Sequence, residues 1–299
     1  MLLLGSAAMC RLFGMSGGRR PVKATFWLLE APDSLAEQSR REPDGTGLGT
    51  FDDEGNPVVS KRPLAAYEDQ QFAREAKERE SRTFVAHVRY ASTGANTPQN
   101  THPFEQQNRL FAHNGVIGDL DALEHHLGDA ISLVEGETDS ERFFALITKE
   151  ITRTGEVTEG IVSAANWVAE NLPVFALNIV LTTESELFAL RYPDVHELHV
   201  LERAAGGAGG THQLDHASAR GSIRVRSGEL AHRRSIVIAT ERMDEDSAWR
   251  ELAPGELLHV DPDLKIHKQI AIDHPPKRQL SLKDLDARAA ASQTPEHKP

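Results

Sequence analysis

Apolar residues recur along this chain with two spacings, and the spacing sorts it into strands and helices. The short run with Leu12, Phe13 and Met15 predicts a strand at 11–16, closed by Gly17-Gly18, and alternation of period two predicts another at 83–89 (TFVAHVR). Segments 47–51 and 58–61 flank Asp52-Asp53-Glu54-Gly55-Asn56-Pro57, turn chemistry that predicts a hairpin. Helical spacing predicts a short helix at 34–41, a charged one at 68–82, and others at 119–127, 139–154 and 160–170. The 139–154 helix opens on Thr138 and Asp139 as cap candidates, with Glu141 in its first turn. A short strand at 109–112 runs into His113-Asn114-Gly115. Beyond Pro173 the pattern turns to strands, at 176–183, 186–191, 197–201, 222–225, 235–240, 257–260 and 265–270.

Hairpin strands in both halves, with helices bunched between them, argue for an α+β layered domain rather than a βαβ alternation. Nothing divides residues 10–272, which are expected to form one domain. Residues 273–299 hold a Pro-Pro pair, an Ala run and scattered charges, and are expected to form a flexible, partly helical tail. The first nine residues, MLLLGSAAM, have no Lys or Arg and only a short apolar run, so they do not match a signal peptide. They are expected to be a leader that is removed, or to precede a true start at Met9. Either route makes Cys10 the N-terminal residue.

Composition excludes several functions. The 33 Lys+Arg against 45 Asp+Glu leave a net charge of −12, which argues against non-specific nucleic-acid binding. The apolar runs fall far short of the roughly 20 residues of a membrane span. A single cysteine, Cys10, permits neither an internal disulfide nor a Cys-rich zinc site. The expectation is an acidic, soluble, cytoplasmic protein.

The candidate chemistry starts at Cys10. A thiol is largely protonated at neutral pH and needs a base to become a nucleophile. An N-terminal cysteine carries its own base, because an α-amino group has a pKa of roughly 7.7–8.0. Downstream, His87-Val88-Arg89 ends a strand, where a guanidinium can present its planar fork to a carboxylate. In His113-Asn114-Gly115, the Asn amide and the glycine N–H are a plausible pair of oxyanion donors. Gly136-Glu137-Thr138-Asp139-Ser140-Glu141 puts an acid at a helix start. Taken singly, these are also what a surface ion pair, a hairpin turn and a helix cap look like. His212-x-x-x-His216, with Asp215 between, has a chelating spacing but no evident third ligand, so no metal is expected. The Gly-rich 204–210 stretch matches neither a P-loop nor a dinucleotide fingerprint.

Together the motifs carry a resemblance. Met9-Cys10-Arg11-Leu12-Phe13-Gly14, His87-x-Arg89, His113-Asn114-Gly115 and Thr138-Asp139-Ser140-Glu141 stand in the order found in class II glutamine amidotransferases, which are N-terminal-nucleophile hydrolases. Pro43-Asp44-Gly45-x-Gly47 and Ser235-Ile236-Val237-Ile238-Ala239-Thr240-Glu241 are similar to the stand-alone bacterial branch, which includes the γ-glutamyl amidohydrolase of ergothioneine biosynthesis. The resemblance implies a four-layer αββα sandwich. It implies that Cys10 attacks a glutamine or γ-glutamyl amide, and that Asn114 and Gly115 hold the oxyanion. Arg89 would bind the substrate α-carboxylate and Asp139 its α-ammonium, with His87 and Ser92 supporting the pocket. No cofactor is implied. Tyr90, Ser92 and Thr93 depart from the Trp and Thr-His of better-known members. The expected activity is hydrolysis through a Cys10 thioester. The alternatives are a glutaminase subunit feeding ammonia to a separate synthase partner, or a non-catalytic glutamine-binding regulatory module.

Overall fold

β1 (Arg11–Ser16) is buried at every position, because both faces of its sheet are covered. In the computed structural model, which describes residues 10–41, 43–89, 97–204, 216–217, 224–225 and 233–293, β1 is the middle strand of an antiparallel sheet. The order is β13 (Arg250–Glu251), β9 (His199–Arg203), β12 (Ser235–Ala239), β1, β4 (Thr83–Arg89), β2 (Gly45–Phe51) and β3 (Pro57–Arg62). A second sheet runs β15 (Ile266–Ile270), β14 (Glu256–Val260), β8 (Leu187–Leu190), β7 (Pro173–Thr182), β6 (Arg109–Ile117) and β5 (Phe104–Gln106). A short strand pair, β10 (His216–Ala217) with β11 (Arg224–Val225), stands apart from both sheets.

Alternate residues of each strand serve different cores, as a period of two requires. Leu12 and Val85 join Leu110, Ala112, Val180 and Ile238 in the layer between the sheets. Phe13, Met15, Phe84 and Ala86 face the other way, against a π-helical turn (Phe26–Glu30), α1 (Leu35–Gln38) and α2 (Gln70–Glu78). On the outer face of the second sheet, Phe111, Ile179 and Leu181 pack under α3 (Leu120–Leu127), α4 (Asp139–Thr154) and α5 (Val157–Asn171). These are the four αββα layers expected from the sequence. Each fully buried Leu or Phe contributes about 1.5–3 kcal/mol, so β1, β4 and β6 are firmly held where they carry polar residues.

Several elements differ from the sequence expectation. The 68–82 helix shrinks to α2, because Asp69 caps it by accepting from the Gln71 and Phe72 N–H groups, and Ser81 pairs with Val22 instead. The 109–112 strand continues through His113-Asn114-Gly115 to Ile117, held by pairing with β7. The 160–170 helix begins earlier, at Val157, and Pro173 opens a strand rather than only ending a helix.

The stretch from 273 is partly helical and returns to the body. β16 (Arg278–Gln279) pairs in parallel with the start of β7, and α6 (Ala287–Gln293) follows, with Ala289, Ser292 and Gln293 buried. Among the described residues, no helix is long and apolar enough to cross a membrane. None of their His, Cys, Asp and Glu side chains cluster in threes that could hold a metal ion. His212 and Asp215 lie outside the described residues.

Candidate active site

At one end of the sandwich the inner faces of the two sheets part around a small recess. Cys10, His87, Arg89, Asn114, Gly115 and Asp139 all line it. Ser92 lies outside the described residues. The register explains the meeting. Leu12 opposes His87 and Arg11 opposes Val88, so one further step sets Cys10 opposite Arg89 at the sheet end. His87 and Arg89 share the inward face of β4 with Val85, two residues apart each time. From the second sheet, Asn114 points inward like Ala112.

Asn114 is 1% exposed, and its Nδ2 donates to the Cys10 carbonyl at 3.0 Å. A carboxamide nitrogen carries two hydrogens, so this bond uses one of them. Gly115 opposes Leu177 on β7, and the Leu177 N–H donates to the Tyr192 carbonyl on the far side, at 2.6 Å. Directly opposed residues in an antiparallel ladder turn their amides together or apart, so the Gly115 N–H turns away from β7. On that side β5 has already ended, with Phe104 opposite Phe111. A Cβ at Gly115 would stand 1.8 Å from the Ala176 carbonyl oxygen, which only glycine avoids.

His113 lies on the helix side of β6 and positions the rest. Its Nε2 is 3.2 Å from the Ala176 carbonyl and its Nδ1 is 2.9 Å from Ser140 Oγ. A carbonyl only accepts, so Nε2 carries the hydrogen and Nδ1 accepts from the Ser140 hydroxyl. Burial pushes the His113 pKa down, against the pull of Asp139, and keeps the ring neutral. Asp139, in the first turn of α4, accepts from the Ile117 N–H through Oδ2 at 2.9 Å. The Ser140 hydroxyl also lies 3.4 Å from Asp139 Oδ1, and a carboxylate oxygen has a second lone pair with which Oδ1 can accept from a ligand. Thr138 caps the same helix by accepting from the Glu141 N–H. Across the recess, burial lowers the Arg89 pKa, while the Cys10 thiolate and Asp44 raise it and Arg288 lowers it further. Among the described residues lining it, the recess therefore presents one cation and one anion, together with the Cys10 thiol and the carboxamides of Asn100, Asn114 and Gln293.

Three contributors escaped sequence reasoning. His102 lies against His87 with ring centroids 4.3 Å apart and ring planes tilted by 47°, and neither ring has a hydrogen-bond partner among the described residues. Burial pushes His87 down to about 3 and His102 well below its usual value, so both are neutral imidazoles. Gly47 makes room for them: a Cβ there would lie 1.9 Å from the His102 carbonyl oxygen. Asn100 braces the loop before α4, accepting from the Glu137 N–H at 2.8 Å. Gln293 reaches the recess from α6. His-Pro before a strand was the one available signal for His102; a single Gln in an Ala-rich tail offered none.

A family model described as class II glutamine amidotransferases matches residues 9–281. A Saccharomyces cerevisiae protein named as a probable glutamine amidotransferase is 29% identical over 49% of this chain and 47% of its own length. The isomerizing glutamine–fructose-6-phosphate aminotransferase of Bradyrhizobium diazoefficiens is 27% identical over 60% of this chain and 28% of its own. The chain thus spans half or less of these curated relatives. Among solved structures, the glutamine phosphoribosylpyrophosphate amidotransferase of Bacillus subtilis is similar in fold, with a TM-score of 0.60 at 20% identity. That likeness covers 89% of this chain and 50% of the other.

Proposed function

The chain belongs to the class II glutamine amidotransferases, and from that premise we propose that it is an amidohydrolase that releases glutamate from glutamine or a γ-glutamyl amide. The observation that carries the reading is that the chain's one cysteine shares a recess with Arg89, Asn114 and Asp139. A γ-glutamyl head is zwitterionic, and the recess offers one fixed cation for its α-carboxylate and one fixed anion for its α-ammonium. Arg89 takes the first and Asp139 the second.

With residues 1–9 gone, the Cys10 α-amine accepts the thiol proton and Sγ attacks the side-chain carbonyl carbon. The Asn114 amide and the Gly115 N–H receive the negative oxygen. The C–N bond then breaks as the ammonium returns its proton to the leaving amine, and a γ-glutamyl thioester remains on Cys10. Water attacks that thioester, releases glutamate and restores the thiol. His87 and His102, neutral and buried, line the pocket and contribute no charge. The relatives that extend well beyond the matched region favour a second reading, in which the released ammonia goes to a separate synthase.

The test is glutamate release from glutamine and from γ-glutamyl peptides by the wild type and Cys10→Ala. Release that depends on Cys10 supports the reading, and equal release by the variant overturns it. Glutamate release that a partner synthase stimulates would favour the second reading.

A further inference from the structure

Gln293 is 4% exposed and stands in the same recess as Cys10, although it lies 283 residues further along the chain. We propose that Gln293 determines specificity, forming the wall that confines the leaving amine and restricts the site to glutamine and γ-glutamyl amides with small amine groups. The proposal rests on the amidohydrolase reading above.

The path that brings Gln293 there is anchored along its length. Tyr192 donates from its hydroxyl to the His274 carbonyl, and Gln279 Nε2 donates to the carbonyls of Val174 and Phe175. At the end of α6 the Ser292 hydroxyl donates to the Ala289 carbonyl at 2.7 Å. Gln293 Oε1 accepts from His196 Nε2–H at 2.6 Å. The His196 carbonyl in turn accepts from Asn178 Nδ2 at 3.2 Å and Arg191 Nε at 2.8 Å. The carboxamide of Gln293 is therefore held by a buried ring whose own backbone is pinned twice. Burial pushes His196 down and keeps it neutral, so this contact persists through ordinary pH.

Position assigns the role. Asn178 opposes Asn114 across β6 and β7, so His196 and Gln293 enter from the β7 side of the reacting carbon. Arg89 enters from β4, and Asp139 from α4, where it is tied to Ile117. For a γ-glutamyl group with its carboxylate on Arg89, its ammonium on Asp139 and its carbonyl at Cys10, the direction assigned to the nitrogen substituent is the β7 side, which, among the described residues, neither anchor occupies. That direction is toward His196 and Gln293. A carboxamide neither gains nor loses a proton there, so Gln293 acts through its volume and its fixed orientation.

The experiment compares wild type, Gln293→Ala and Gln293→Met on two readouts. The first is kcat/KM for γ-glutamyl-p-nitroanilide relative to glutamine. Removing the wall should raise this ratio about tenfold or more, the scale on which pocket volume discriminates. Gln293→Met, which keeps the volume, should hold the wild-type ratio. The second needs no turnover: Cys10 is the chain's single thiol, so the rates of alkylation by fluorescein-maleimide and iodoacetamide report on it alone. The bulky-to-small rate ratio should rise in Gln293→Ala and stay put in Gln293→Met. Ratios that stay unchanged in Gln293→Ala, or that shift equally in both variants, overturn the proposal. A wild type that hydrolyses no γ-glutamyl amide, with the alkylation ratio still shifting in Gln293→Ala, defeats the amidohydrolase reading and supports Gln293 as the wall.

Discussion

The Asn114 carboxamide donates to the Cys10 carbonyl at 3.0 Å, so the residue assigned to the oxyanion also fixes the backbone that bears the nucleophile. One of its N–H groups does the fixing and the other remains for the substrate oxygen. Asn114→Ala should lower kcat by about 100–1,000-fold, the range for one lost oxyanion donor, with a smaller change in KM. Steady-state glutamate release measures both, and an unchanged kcat rejects the assignment.

Arg89 should act on binding instead. Losing a hydrogen bond to a charged group costs about 1.5–3 kcal/mol, so Arg89→Ala should raise KM by roughly 10–150-fold. Arg89→Lys should recover only part of that, because an ammonium lacks the planar fork that matches a carboxylate. Full recovery by lysine would show that position and charge alone suffice.

Gly47 should tolerate no side chain. A Cβ 1.9 Å from the His102 carbonyl oxygen forces backbone to move, and His102 lines the recess. Gly47→Ala should therefore lower both the melting temperature and kcat. A variant matching wild type in both would contradict so close an approach.

His87 should make the protein acid-sensitive. Its folded pKa is lowered from 6.5 to about 3, so between those values the unfolded chain binds a proton that the native state refuses. Stability is then lost as pH falls through that window, by an amount on the order of a few kcal/mol. Urea unfolding at about pH 7 and about pH 4.5 should show a larger loss for wild type than for His87→Gln, which has no such proton to bind. Equal losses would remove His87 as the cause.

Much of this architecture was legible in the sequence where local signals agreed with tertiary ones. β1 carries a short apolar run closed by Gly17-Gly18, β4 alternates, and α4 announces itself by its cap, with Thr138 accepting from the Glu141 N–H. Asn114-Gly115 was harder, because Asn-Gly is a turn signal and glycine is poor in strands. Pairing with β7 overrides that preference and makes the dipeptide part of β6. The anionic end of the site was visible as a helix start, but its hydrogen bond from Ile117 depends on packing between α4 and β6. His102 and Gln293 belong to no periodic pattern, and only the folded path brings them to Cys10. The depressed pKa of His87 has its cause in burial, a property of the assembled layers rather than of any short motif.

In the proposed reaction Cys10, freed at its amine, carries the γ-glutamyl group. Acid-quenching the active enzyme during turnover of glutamine and weighing its N-terminal peptide should give a peptide that begins at Cys10 and bears one γ-glutamyl group in thioester linkage. Full-rate glutamate release from protein whose peptide still begins at Met1, with Cys10 unmodified, would overturn that role for Cys10.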